Sequence, residues 1–425
     1  MRKFLISLCF GGLLGMLFSC SEDDNAIAEP DLYDATTIGD SLYHDTGLPV
    51  INIRTFDGEG IKSKDTWIAA TFSVWTPDGS WSLGEAVQIK GRGNATWKFP
   101  KKPFNIKFSR KYSMLGMPKH KRWVFLANYH DRTLLRNALT FHLGAMMEGL
   151  EWTPRFQFAE VIFNGHHVGN YLVCEQIRVD PARVNIDEMN ADDVDGESLT
   201  GGYLLNFDAY YDEINRFKTP QNKWPVGIKS PDDGTIRPEQ IEYIKSFVYD
   251  CEIAMLQRHY DALQTSFLDY RSFVDYYIIQ TLTGNKELKK PRSVYVYKKR
   301  NGRMYAGPLW DFDFSTYRNV EANLNNAALW YKFLFKDPAF VALLKDRWKE
   351  VEPVLRQELV EYLDSMQGEL EFSQSLNFQV FPIRNDIVNK YENGDEELPY
   401  GSAVERMKGV ALRRIDKMDA FLSDL

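Results

Sequence analysis

Two aspartates one residue apart, Asp311 and Asp313 in Leu309-Trp310-Asp311-Phe312-Asp313-Phe314, are the residues of this chain best suited to chemistry. In an extended segment successive side chains alternate, so the carboxylates would share one face and Phe312 and Phe314 the other. Two carboxylates beside aromatic rings are costly to bury unless a positive charge sits between them. A divalent cation with oxygen ligands, most often magnesium holding a phosphate, meets that need. A solvated or salt-bridged pair at a strand end is the competing reading.

Three other groups carry chemical content. In Gly91-Arg92-Gly93-Asn94 two glycines let backbone amides approach an anion, and Arg92 with Lys98, Lys101 and Lys102 supplies positive charge. Lys107, on the strand that returns from this loop, can point back to the same anion or face solvent. Glu287, in Asn285-Lys286-Glu287 after a helix end, can accept a proton from a hydroxyl or be an ordinary surface acid. Glu175 and Arg178 either line a pocket or form a structural salt bridge. His142, His166 and His167 form no serine-hydrolase constellation.

The elements that must position these residues follow from periodicity and turn signals. Ser293–Tyr297 and Arg303–Ala306 flank Asn301-Gly302 as a hairpin, after which Gly307-Pro308 delivers Asp311. Upstream, Val50–Thr55, Thr66–Trp75, Ala86–Lys90 and Lys102–Phe108 read as strands. Phe156–Phe163 and Val168–Ile177 form a second hairpin around Asn164-Gly165. A helix is expected over Leu134–Met147 with Asp131 as a possible N-cap, and further strands over Gly201–Asp208 and Val226–Lys229. After Pro238 amphipathic helices take over, at Glu239–Leu263, Arg271–Thr283, Pro338–Met366 and Ala403–Leu425. The expectation is an α+β protein of two lobes with a cleft between them, β-rich to about residue 236 and helical over 237–425.

The chain has 425 residues, 44% of them hydrophobic and 14% aromatic, which indicates a filled globular body rather than a disordered one. A net charge of −8 argues against a broad nucleic-acid surface. Met1-Arg2-Lys3 and the apolar run to Phe18 read as an export leader, and Leu17-Phe18-Ser19-Cys20 resembles the lipobox of bacterial lipoproteins. By that resemblance Cys20 is the lipidated first residue of the mature chain. Ser21-Glu22-Asp23-Asp24 is similar to the acidic stretch that sends Bacteroidetes lipoproteins to the cell surface. Outer-membrane or surface localisation, membrane contact only through the lipid anchor, and a flexible tether over 21–45 are the expectations. Cys174 and Cys251 sit in core-like runs and read as buried thiols, and no clustered Cys or His spacing suggests zinc.

Several stretches together resemble the spore-coat CotH kinase family, a branch with a protein-kinase-like fold. They are Ile89–Trp97 with Lys101–Phe108, Trp123–Asn137, Glu160–Ile186, Gly201–Asp208, Gly284–Leu288 and Gly307–Phe314. They fall in the family's order and span most of the chain from about Leu48. The resemblance implies ATP between two lobes, with Arg92, Gly93 and Asn94 over the phosphates and Lys107 touching them. Ile177 and its neighbours, Glu175 among them, would lie where adenine docks. Asp311 would hold Mg2+ or Mn2+ as the aspartate of a kinase DFG segment does, with Asp313 a second ligand.

One position departs from the family. Active members carry Asn-x-Asp where this chain has Asn285-Lys286-Glu287, the acid being the base of the reaction. The extra methylene of glutamate moves the carboxylate by about an ångström, a displacement that can cost on the order of 10²-fold in rate. Two readings follow: a kinase phosphorylating a protein or glycan hydroxyl, or a catalytically weak scaffold binding nucleotide or glycan. A glycosyltransferase reading of Asp311-Phe312-Asp313 lacks the βαβ alternation it needs.

Overall fold

The computed structural model describes residues 32–76, 79–384 and 393–425. The leader, Cys20 and the acidic residues after it, together with Pro77 and Asp78, lie outside the described residues.

The first half is built from β1 (Val50–Thr55), β2 (Ile68–Thr76), β3 (Ser80–Trp81), β4 (Glu85–Gly91), β5 (Phe104–Tyr112), β6 (His120–Leu126), β7 (Phe156–Phe163) and β8 (His166–Glu175). They pair in the order β1-β7-β8-β6-β5-β4-β2-β3, and β1 also pairs with β2, so seven strands close on themselves as a barrel. Alternate side chains, among them Ile53, Phe72, Ile89, Phe108, Trp123 and Val173, point inward and fill it. Emptying one such position, as in Phe72→Ala, costs roughly 3–5 kcal/mol.

The closed barrel overturns the expected two-lobed protein-kinase-like fold; the α+β class stands. Strands of this length and alternation serve an open sheet and a barrel equally well. Closure comes from the parallel pairing of β1 with β7, Val50 opposite Glu160 and Ile53 opposite Phe163, which leaves no local signal. Asn164 and Gly165 both have positive φ, as the tight hairpin turn requires, and the Asn164 carboxamide accepts from the Thr55 amide at 2.9 Å. The turn of one hairpin thereby pins the end of β1.

A second sheet follows, from β9 (Tyr203–Phe207), β10 (Arg216–Lys218), β11 (Pro225–Ser230), β12 (Val294–Lys298) and β13 (Met304–Ala306), in the order β10-β11-β9-β12-β13. It draws strands from both sides of residue 236. The helix Tyr270–Leu282, expected to be amphipathic, is buried on every side except at Arg271, and so runs through the core rather than over it. Asp269 caps it by accepting from the Ser272 amide at 3.0 Å. Outward-facing barrel residues such as Val124, Leu126 and Leu172 join the same core, which fixes the barrel against the helices.

Leu32–Thr46 is an α-helix, within the stretch where a flexible tether is expected. Its Leu42 is buried against Val50, Trp75 and Ile162, and a Cβ at Gly39 would come within 2.7 Å of the Trp81 ring. Cys174 and Cys251 are free and buried, as the sequence suggests. Among the described residues no helix is long and apolar enough to cross a membrane.

Candidate active site

The segment after β13 does not run extended. Asp311, Ser315 and Tyr317 all have positive φ, at 69°, 59° and 49°, so the alternation of faces expected for Asp311–Phe314 fails. A coiled backbone nevertheless turns both Asp311 and Asp313 into one cleft of about 210 Å³. Phe312 is buried, and Phe314 lines the cleft. Side chains from distant elements hold the coil. Asn137 accepts from the Phe312 amide at 2.7 Å, and Arg136 donates to the Thr316 carbonyl at 3.1 Å. Ser293 donates to the Asp311 carboxylate at 3.3 Å. Arg136 and Asn137 open the helix Arg136–Ala145 and stand at the end of a family-like stretch; nothing in their spacing marks them as supports of the aspartates.

Four carboxylates converge here: Asp208, Glu287, Asp311 and Asp313. Burial lifts the Asp311 carboxyl to about 6, the Asp313 charge pushing the same way and Arg92 opposing. Burial also lifts Asp313 to about 6, with Asp131 adding and Arg92 and Arg136 subtracting. Glu287 stands well above the usual carboxylate range, through burial and then the Asp311 charge, with Arg292 opposing. Its Oε2 is buried and has no hydrogen-bond partner among the described residues. Asp208 is raised by burial and to a smaller degree by Asp311. Burial with too little positive charge nearby raises all four, and at Asp311, Glu287 and Asp208 a neighbouring acid of the cleft adds to it. Among the described residues no group of three or more His, Cys, Asp or Glu side chains is arranged to hold a metal ion.

Glu287 is set by its own turn. The Asn285 carboxamide accepts from the Glu287 amide at 2.9 Å, and Asn325 donates to the Asn285 carbonyl at 3.1 Å. Arg414 donates to the Thr281 and Leu282 carbonyls at 2.9 and 3.1 Å, satisfying the C-terminal end of the helix that carries the turn.

Opposite lies the glycine loop. Gly93 has φ 80°, and a Cβ at Gly91 would stand 2.2 Å from the Trp97 ring, so both glycines are required by geometry. Arg92, Gly93 and Asn94 line the carboxylate cleft and also a second, larger groove of about 930 Å³ beside it. That groove is basic: Lys90, Lys121 and Arg122 line it and have no ion pair among the described residues. Lys90 and Arg122 each lie 5.0 Å from the Trp67 ring centroid. Gln176 and Ile177, just past β8, also line it.

The structure therefore brings Arg92, Gly93, Asn94, Glu287, Asp311 and Asp313 together and places Ile177 on the adjoining groove. Two expected residues stand apart. Lys107 lies opposite Arg122 in the β5–β6 register and lines neither cavity. Glu175 is buried and engaged by Arg155 at 2.9 Å and by Trp152 at 3.2 Å, which makes it a structural ion pair. Arg178 is not its partner but pairs with Asp232 at 3.1 Å. The sequence reading passes over Lys90 and Arg122; Lys90 alternates with buried residues along β4, a signal that could have found it, whereas β6 is buried continuously from Trp123 and offers none for Arg122.

A comparison with curated proteins finds no match. The family model described as CotH kinase protein matches residues 89–406, a span that holds the glycine loop, Glu287 and both aspartates. The chain belongs to the CotH kinase family.

Proposed function

We propose that the protein is an atypical ATP-dependent kinase that transfers a phosphoryl group to a hydroxyl of a protein or glycan acceptor, using Mg2+ or Mn2+. Family membership supports a kinase-like activity that uses ATP. The observation that carries the finer reading is the meeting of four carboxylates of raised proton affinity with Arg92 in one cleft beside a basic groove.

The residues fit a hard cation. Their donors are oxygens, burial raises their proton affinities with the Asp313 charge adding at Asp311, and magnesium commonly uses one or two carboxylates completed by substrate phosphates. Held by Asp311 and Asp313, the cation would neutralise charge on the phosphates. Arg92 and the loop amides of Gly93 and Asn94 would orient the triphosphate, with Lys90 and Arg122 in reach along the groove and Ile177 beside the base. Glu287 would take the proton of the attacking hydroxyl; burial makes it a strong base once ionised.

A second reading, a weak or inactive scaffold that binds nucleotide or glycan, is favoured by one observation: glutamate stands where active members carry aspartate. Transfer of radiolabel from ATP by wild type, Glu287→Ala and Glu287→Asp separates the two. The kinase reading expects labelling by wild type that Glu287→Ala loses. No labelling of itself or of a protein extract by any of the three decides for the scaffold. The leader and Cys20 support placing the protein at the outer membrane or cell surface, tethered by lipid with no other membrane contact.

A further inference from the structure

We propose that Asn393, in the turn before the last helix, is a positioning residue that clamps the backbone of Asp313 and thereby sets the metal–nucleotide affinity of the cleft. This rests on the reading of that cleft as a metal–nucleotide site.

The Asn393 side chain is fully buried, and its carboxamide uses both ends. Its oxygen accepts from the Ser315 amide at 2.8 Å, while its nitrogen donates to the Asp313 carbonyl at 3.1 Å and the His130 carbonyl at 3.3 Å. One side chain thus grips the coil on either side of Phe314 and ties it to the segment after β6.

The clamp is itself braced. Glu396 accepts from the Gly394 and Asp395 amides at 2.9 and 3.0 Å, closing the turn. Gly394 has φ 84°, and a Cβ there would approach the Arg406 guanidinium at 2.9 Å. Arg406 donates to the Arg318 carbonyl at 2.7 Å, holding the far end of the same coil. Asp395 pairs with the buried Arg136, which also pairs with Asp131 and reaches the Thr316 carbonyl. A coil with three non-glycine residues at positive φ is not a conformation that the chain would keep unaided. An amide that bonds both the Asp313 carbonyl and the Ser315 amide fixes the backbone from which the Asp313 carboxylate projects.

The test uses Asn393→Ala and Asn393→Asp in the full chain, with Gln374→Ala as control. Gln374 is another buried carboxamide, donating to the Glu371 carbonyl at 3.0 Å within its own helix and lining neither cavity. Hydrogen exchange reads the clamp without any ligand. In Asn393→Ala the Ser315 amide should exchange at least tenfold faster while the barrel strands keep their protection; Asn393→Asp, which retains the acceptor, should protect Ser315. Calorimetry with Mg2+ and ATP reads the consequence: both Asn393 variants should bind at least tenfold more weakly, and Gln374→Ala as wild type does. Wild-type exchange at Ser315 in Asn393→Ala overturns the clamp whatever the cleft binds. Faster exchange with unchanged affinity overturns its role in binding. If wild type itself binds no Mg2+ and ATP while Asn393→Ala loses protection, the reading of the cleft fails and the clamp stands. Should Asn393→Ala not fold, Asn393→Asp carries the affinity test.

Discussion

The guanidinium of Arg92 lies 5.3 Å from the centroid of the Trp310 ring, joining the glycine loop of the barrel to the segment that carries the two aspartates. The same guanidinium opposes the elevated proton affinity of Asp311 and Asp313. It is the cation nearest to supplying the charge that the acids lack. Arg92→Ala is expected to weaken ATP binding about 10- to 100-fold, and Arg92→Lys to fall between it and wild type, because lysine keeps the charge without the planar stack. Calorimetry checks this; unchanged affinity in Arg92→Ala removes the loop from the site.

Burying the Asp313 carboxyl costs the fold stability. It is 7% exposed, and its carboxyl sits at about 6 against an ordinary 3.8. The folded state therefore binds this proton more tightly than the unfolded chain does. Ionisation at pH 7.5 destabilises the fold by up to about 3 kcal/mol, and that loss is recovered as pH falls from about 6 toward 3.8. Asp313→Asn should raise the melting temperature at pH 7.5 by a few degrees, about 2–5 °C, with the gain shrinking at pH 5. Melting at the two pH values checks the sign; a lower melting temperature for the variant at pH 7.5 contradicts it.

The cations of the groove are separable from the lysine expected on sequence grounds. Lys107→Ala should leave ATP affinity within about twofold of wild type, whereas Arg122→Ala and Lys90→Ala should each lower it by about 3- to 10-fold. Loss of affinity in Lys107→Ala alone would return the phosphate contact to β5.

Much of this arrangement is legible in the chain, and the gaps have physical causes. Val50–Thr55, the Asn164-Gly165 hairpin and the long C-terminal helices carry local periodicity and turn chemistry, and they stand close to where those signals put them. Barrel closure depends on β1 meeting β7 and is invisible to local pattern. Asp311 and Asp313 do face one cleft, but through a coil with positive φ, not through strand alternation. Asp208, Asn137 and Asn393 each lie in a different part of the chain, and only packing reveals that they meet the aspartates. Nothing local separates Lys107 from the other cations near the glycine loop, and it lines neither cavity whereas Lys90 and Arg122 line the groove.

The most direct measurement is calorimetric titration of ATP into the chain from Ser21 onward, wild type and Asp311→Ala, with and without Mg2+. The account predicts saturable binding by wild type only when the cation is present, and none by Asp311→Ala under either condition. Equal binding by the two proteins in Mg2+ would contradict the assignment of Asp311, and with it the central claim that these carboxylates hold a metal–nucleotide complex.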